Sequence, residues 1–469
     1  MKYLKYITIL FLLHNWIDTS AQQAATIVVK GVITEEPVDS IYLEVMVPMG
    51  TWSFPNSSRL YKAAWKEQGT EFRVETYDQP VYFYLKFGSR VVAGNLIETN
   101  DRLVVEIIGN ELKYSGYGSF KNSLADRFRV MSQLDMNKLK LNDPKIIKNE
   151  YEIQDGTTLL KIEQLNSAKD SLSDILYSMM LADLIGENYN KTTYVTKYIR
   201  GGEMSPFIGA LKKYRIPRLI VQIKKKLLKS ENAAFSSRFT ASLVQEYMFN
   251  SFFKKGLPFD YSQTFNHFLE LPEGLLKERI LFYLIYKNKR LNDAILSIEK
   301  GRHHIHNPLF TEVLQALGKA YSKKTSLQNY SLANVQGEKY NLSKLKGNVV
   351  VMDFWYTGCP ACPEMVPHLY KLEQRFQGES VKFVSVSIDK DGDKWTKSVA
   401  SGLYTTEEGL HLYTGGDGGT HPLIKDLFVT AYPTLLVFDK EGTITRIPRD
   451  PRLDDRQDLV ELINELLFK

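Results

Sequence analysis

Cysteine is almost absent from this chain: its 469 residues hold two, Cys359 and Cys362. So few thiols exclude a disulfide-built scaffold and a four-thiolate zinc site. Long apolar runs are missing as well. Beyond the amino terminus no stretch approaches the ~18 apolar residues of a membrane-spanning helix, so the mature chain is expected to be soluble. Charge of either sign is also scarce in excess, with 60 basic against 54 acidic residues and a formal charge of +6. That excess, diluted over the whole length, argues for no nucleic-acid partner. What is present is ordinary for folded protein, 43% hydrophobic and 24% charged, at a length that predicts two or three domains.

The amino terminus departs from this average. Lys2 and Lys5 make a basic start, Tyr6 to Leu13 is apolar, and Thr19-Ser20-Ala21 places small residues ahead of Gln22. Residues 1–21 therefore read as a secretory signal, with export to the periplasm or cell envelope as the consequence. An uncleaved anchor is the competing reading, and His14, Asn15 and Asp18 interrupt the span it would need. No cysteine follows for lipid attachment. In an oxidising compartment two cysteines could be a structural staple, but a staple works by closing a loop in the unfolded chain. A C-x-x-C ring closes almost none, so it stabilises less than the roughly 3 kcal/mol of a fifteen-residue loop.

Patterning divides the rest into three. Residues 22–117 read as an all-β domain, a small sandwich or barrel. Its β-branched and aromatic runs are Thr26 to Ile33, Ser40 to Val45, Glu71 to Val74, Val81 to Phe87 and Leu103 to Ile108, separated by Gly, Pro, Asn and Asp. It contains no catalytic cluster. Residues 118–325 turn to a helical period: Leu172, Ile175, Leu176, Met179 and Met180 share a face behind a capping box, Ser171-x-x-Asp174. Pro217 suits a helix start, and Lys224-Lys225-Lys226 reads as a solvated face. Residues 326–469 alternate strand and helix, with core strands at Val349 to Met352, Val381 to Ile388 and Thr434 to Phe438 and a closing helix carrying Leu459, Leu462, Ile463, Leu466 and Leu467. This is an α/β layer domain.

Both cysteines lie in that last part, between the strand ending at Met352 and a helix expected over Pro363 to Leu369. Strand, Cys-Pro-Ala-Cys, helix is the layout of a thiol–disulfide exchange site. The attacking thiolate needs a lowered pKa and solvent access, and a helix amino terminus would give Cys359 both. Cys362, one turn in, should be shielded and able to resolve a mixed disulfide on Cys359, leaving the pair oxidised. No metal and no cofactor is required.

Residues 330–469 resemble the thioredoxin superfamily, and among it the exported TlpA/ResA-like thiol–disulfide oxidoreductases. The resemblance rests on Gly337 to Gly347, Phe354-Trp355, Cys359-x-x-Cys362, Pro367 and Tyr432-Pro433-Thr434. It implies a thioredoxin-like domain in which Asp353 moves a proton to and from Cys362, Pro367 kinks the active-site helix, and Pro433 is the cis-proline facing the disulfide. Trp355, Gly358, Pro360 and Tyr432 are then the expected substrate-facing residues, with an extended segment pairing in strand fashion beside Tyr432-Pro433. Protein thiols and disulfides are the implied partners, with a membrane electron donor recharging a reductant. The segments before it are similar to the amino-terminal regions of thioredoxin-like proteins from Bacteroidetes-type envelopes.

Three positions depart from the family. Gly358 replaces the usual Trp, which would open the surface beside Cys359. Pro363 and Met365 stand where a basic residue and a glutamate are common, so no role for that glutamate carries over. The loop Gly415 to Gly419 is long and reads as a linker or a lid. Other readings compete. Zinc would need His368 and His421 to complete its shell, and His303-His304-Ile305-His306 lacks the i, i+4 spacing of a helical metal pair. A peroxiredoxin-like peroxidase would want Pro-x-x-x-Thr-x-x-Cys, whereas Thr357 is two residues before Cys359. An envelope binding or assembly module could use a thioredoxin scaffold without its chemistry.

Overall fold

A computed structural model describes residues 24–32, 38–47, 58–88, 90–109, 111–131, 144–190, 214–289, 291–321, 326–327, 330–452 and 454–468. The signal expected over residues 1–21 lies outside them. The chain forms two compact units that divide between Phe249 and Asn250. The helical region read as one segment over 118–325 is thus shared between the two.

The first unit opens with eight described strands: β1 (Ala24–Val32), β2 (Ser40–Met46), β3 (Ser58–Ala64), β4 (Thr70–Glu75), β5 (Val81–Phe87), β6 (Arg90–Ile97), β7 (Arg102–Ile108) and β8 (Glu111–Tyr117). They form two four-stranded sheets, ordered β4-β1-β7-β8 and β3-β2-β5-β6. Side chains alternate between faces, and Ile27, Val29, Ile41, Leu43, Phe83, Leu85, Leu103 and Val105 meet in one core. A sandwich results. Sequence patterning misses β3 and β8, which are edge strands with few buried positions, and β6, whose pairing with β5 shifts register between Phe83 and Leu85. The helices of this unit are α1 (Ser119–Met131), α2 (Pro144–Ser167), α3 (Asp174–Tyr189), α4 (Arg218–Leu227) and α5 (Ser237–Ser251), the last turn of α5 crossing the division. Ser173, not Ser171, caps α3 by accepting the Leu176 N–H. Lys224 is not solvated either; its ammonium pairs with Glu246 and lies over the Tyr189 ring.

The second unit begins with α6 (Tyr261–Leu269), α7 (Leu275–Lys287), α8 (Asn292–Arg302) and α9 (Pro308–Ala320). Its sheet contains β9 (Ser331–Asn334), β10 (Lys339–Asn341), β11 (Val349–Trp355), β12 (Val381–Ser387), β13 (Leu410–Tyr413) and β14 (Thr434–Phe438), interleaved with α10 (Val366–Arg375), α11 (Gly392–Ala400), α12 (Pro422–Asp426) and α13 (Gln457–Leu467). The order is β10-β9-β13-β12-β11-β14, with β11 parallel to β12 and antiparallel to β14. Every side chain of β11 is buried because both faces are covered. Val349 and Val351 meet Leu369 and Leu372 of α10 and Leu459, Leu462 and Ile463 of α13. Val350, Met352 and Phe354 meet Leu423, Ile424 and Leu427 on the opposite face. The carboxy-terminal part is an α/β layer domain, as the alternation predicts.

Candidate active site

β11 delivers the chain to the site. Past its end, Thr357 is fixed by the buried carboxylate of Asp389: the Thr357 N–H donates to both oxygens at 3.1 Å and its hydroxyl to Oδ2 at 2.8 Å. Ser387 donates to the same oxygen at 2.8 Å. Gly358 follows with φ 96°, a conformation that disfavours any side chain. Its N–H donates to the Tyr404 hydroxyl at 3.0 Å, and the Tyr404 ring stacks on Trp355 at 5.0 Å between centroids and 5° between planes. The surface beside Cys359, expected to be open for want of a side chain at 358, is therefore met by Tyr404 from another loop. Trp355 itself is fully buried, with Nε1 donating to Ser385 Oγ at 2.6 Å. It cannot face a substrate.

Cys359 and Cys362 are joined as a disulfide with Cα atoms 5.5 Å apart. Each is only 2% exposed, so in this oxidised form the first cysteine is as shielded as the second, against expectation. Trp355, Trp395 and Tyr413 surround them, with Tyr356, Tyr404 and Tyr432 packed alongside. The helix also starts later than expected. Turns run from Cys359 to Met365 through the bonds Cys362 N–H to Cys359 C=O at 3.4 Å and Met365 N–H to Cys362 C=O at 3.0 Å, and α10 begins at Val366. Pro363 explains the delay. It has no N–H for the Cys359 carbonyl, and its ring would clash there. Pro367 falls in the first turn of α10, where proline is accepted, and so kinks nothing. A helix amino terminus at Cys359 is thus replaced by irregular turns.

Asp353 is buried in the middle of the sheet, registered between Ser385 and Leu435. By the two-residue period it shares the face of Val349 and Val351, on which α10 packs. The Tyr432–Pro433 peptide is cis. Tyr432 meets Tyr356 edge-to-face at 5.5 Å, and burial, with Tyr356 adding to it, pushes its hydroxyl up to about 12. Pro433 is buried, whereas Gly358, Pro360, Thr430 and Ala431 are exposed and Tyr432 half-buried. Of the expected substrate-facing residues, Gly358 and Pro360 are thus exposed and Tyr432 half-buried, while Trp355 is buried.

A redoxin family model matches residues 301–463. Residues 301–463 are a redoxin domain. Among curated proteins, the thiol-disulfide oxidoreductase ResA of Bacillus thuringiensis is 25% identical over 116 residues, covering 25% of this chain and 63% of that protein. The thioredoxin-like protein YneN of Bacillus subtilis is 28% identical over 138 residues, covering 28% of this chain and 78% of the relative. The chain thus spans under two thirds of the length of that ResA protein. Among solved structures, a thiol-disulfide oxidoreductase from Bacteroides fragilis aligns at 21% identity and TM-score 0.26, over 29% of this chain and 99% of its own.

The second unit holds further groups that sequence reading missed. Arg452 donates to the Ala361 carbonyl, inside the Cys-Pro-Ala-Cys turn, at 3.1 Å. Tyr286 of α7 donates to Thr430 Oγ1 at 3.4 Å and packs edge-on against Phe428 at 6.0 Å, so α7 touches the segment leading to Pro433. Asp389 had a faint signal, an acid directly after a core strand; Tyr404 and Arg452 had none. The histidines of the zinc reading serve elsewhere: His368 Nδ1 lies 3.3 Å from Arg456 Nη1, and His421 Nδ1 accepts the Leu423 N–H at 3.2 Å. The loop around Gly418 is pinned by its N–H to Thr414 Oγ1 at 3.1 Å.

Proposed function

We propose that this protein is an exported thiol–disulfide oxidoreductase that exchanges disulfides with protein substrates through Cys359 and Cys362, acting as a reductant. The observation that carries the reading is a disulfide between the chain's two cysteines, at the end of a fully buried central strand and packed against Tyr432 of a cis-proline turn. In the reducing direction the Cys359 thiolate attacks a substrate disulfide, and one substrate sulfur leaves as a thiol. Cys362, deprotonated, then attacks Cys359 Sγ, the mixed disulfide breaks, and the second substrate sulfur leaves. Two electrons pass from the dithiol to the substrate. Asp353, buried on the α10 face of β11, is the proposed carrier of the Cys362 proton, and Pro433 with Tyr432 presents the substrate backbone, which pairs along Thr430 and Ala431.

The basic start and apolar run of residues 1–21 support export, and a membrane electron donor would recharge the dithiol. Among the described residues no helix is long and apolar enough to cross a membrane.

The test is a trap. Cys362→Ser should hold substrates as mixed disulfides on Cys359, released by dithiothreitol, while Cys359→Ser holds none. A redox titration of the wild type should give a reversible two-electron couple. Thiols that stay inert, with nothing captured in the envelope, would leave the thioredoxin-like domain as a scaffold.

A further inference from the structure

Arg452 is remote in sequence from the cysteines, yet it enters the ring that they close. Its Nη1 donates to the carbonyl of Ala361 at 3.1 Å, the peptide that joins Ala361 to Cys362. The rest of the guanidinium is held from the other side. Nε and Nη2 make a fork onto Asp450 at 2.9 and 2.6 Å, and Nη1 also reaches Glu364 at 3.2 Å. The side chain of Arg452 is 18% exposed and that of Asp450 24%, whereas Glu364 is 72% exposed and well screened by solvent. Asp353 lies within electrostatic reach of the same guanidinium. The planar fork of arginine allows this: one edge satisfies a carboxylate and the other is left for a carbonyl.

We infer that Arg452 is a positioning residue that sets the redox poise of the site, its cation favouring the reduced, thiolate-bearing form. This rests on the exchange reading above. The step concerned is the reduction of the Cys359–Cys362 bond: the S–S bond breaks, two electrons enter from a dithiol or from two thiols that leave as a disulfide, and two protons are taken up unless one sulfur stays as thiolate. The disulfide is neutral and the thiolate carries a charge. A cation anchored one peptide from Cys362 therefore lowers the free energy of the reduced state more than that of the oxidised one. Asp450 acts in the opposite sense, because its carboxylate offsets that cation.

Charge and clamp can be separated. In Arg452→Gln the Asp450 and Glu364 carboxylates remain beside the turn with no cation between them. Equilibration with glutathione should then shift toward the disulfide by about tenfold, a fall of about 30 mV in potential, and alkylation of reduced Cys359 should need a higher pH. Asp450→Asn leaves the cation with less compensation, so its potential should move the other way, several-fold in the equilibrium constant. Arg452→Lys keeps the charge and loses the fork, and should stay within about threefold of the wild type. If Arg452→Gln proves unstable, Asp450→Asn and Arg452→Lys still carry the test.

Displacements of Arg452→Gln and Asp450→Asn in the same direction, or neither exceeding twofold, overturn the inference and leave Arg452 a structural tie. A wild type without any reversible couple overturns the exchange reading instead, so the two failures are distinguishable.

Discussion

Buried and half-buried polar groups serve different ends in the two units. In the first, they join layers. Lys121 of α1, its side chain 6% exposed, meets Asp101 at 2.7 Å and Glu98 at 3.0 Å. Asp183 of α3 accepts from Tyr82 of β5, and from Ser236 at 2.6 Å. In the redoxin domain, the comparable groups hold single peptides of one loop: Asp389 on Thr357, the Tyr404 hydroxyl on the Gly358 N–H, Arg452 on the Ala361 carbonyl. Pairing between elements fixes a fold. Pairing onto loop peptides either side of a disulfide fixes the place and charge of two sulfurs, which is what a reactive site needs.

The largest effect should come from breaking a layer contact. Lys121→Met leaves the carboxylates of Asp101 and Glu98 facing each other without their cation, and removing one partner of a buried pair costs about 3–5 kcal/mol. Denaturant unfolding should show that loss in the transition of the first unit, with disulfide exchange by the redoxin domain unchanged. A parallel loss of exchange would mean that the division of labour between the units is wrong.

Breaking a loop contact should give the reverse pattern. Asp389→Asn retains the shape but surrenders the charge that accepts from Thr357 and Ser387, bonds worth about 1.5–3 kcal/mol each to a charged acceptor. Part of that appears as a lost position for Gly358 and Cys359. Exchange should slow by roughly tenfold, read with a model disulfide substrate, while the first unit unfolds as before.

Tyr404 sharpens the contrast at smaller scale. Its ring covers Trp355 and its hydroxyl holds the peptide before Cys359, an aromatic pairing worth about 0.5–1.5 kcal/mol. Tyr404→Ala should raise the alkylation rate of reduced Cys359 several-fold by uncovering it, and Tyr404→Phe, which keeps the stack, should raise it less. An unchanged rate in Tyr404→Ala would show that the shielding of Cys359 comes from elsewhere.

How much of this could be read beforehand depended on whether the determinants were local. The strands β11, β12 and β14 and helix α13 are apolar runs of the right period, and the C-x-x-C spacing is local too, so all were legible. Edge strands β3 and β8 were not, because a strand with few buried positions carries no apolar pattern. The late start of α10 was legible in principle, since Pro363 denies Cys359 its helical bond, but the strand–turn–helix pattern overrode it. Burial of Trp355 could not be foreseen from the residue, because it depends on Ser385 and Tyr404 arriving from distant parts of the chain. Arg452 and Tyr286 belong to the same class: nothing in their neighbourhoods marks them, and only the fold brings them to the cysteine turn and to the segment before Pro433.

The smallest expected effect concerns a carboxyl that neither joins layers nor holds a loop peptide. Glu373 of α10 is buried; its Oε1 accepts from the Thr406 hydroxyl at 2.6 Å, while its Oε2 accepts from nothing among the described residues. Burial pushes its pKa up, and Glu408 adds to that, the Thr406 bond opposing both. A raised pKa means that the folded chain binds this proton more tightly than the unfolded chain does. The stabilisation is then fully present below the unfolded carboxyl value of ~4.3 and is lost as pH rises through the folded value. Glu373→Gln cannot ionise, so at pH 7 it should be more stable than the wild type by about 1 kcal/mol, the size of one buried polar group's mismatch. The gap should close on acidification. A gap that is constant from pH 7 to below pH 4, or wild type the more stable at pH 7, would show that Glu373 is held charged in the fold and works, like Asp389, as an acceptor.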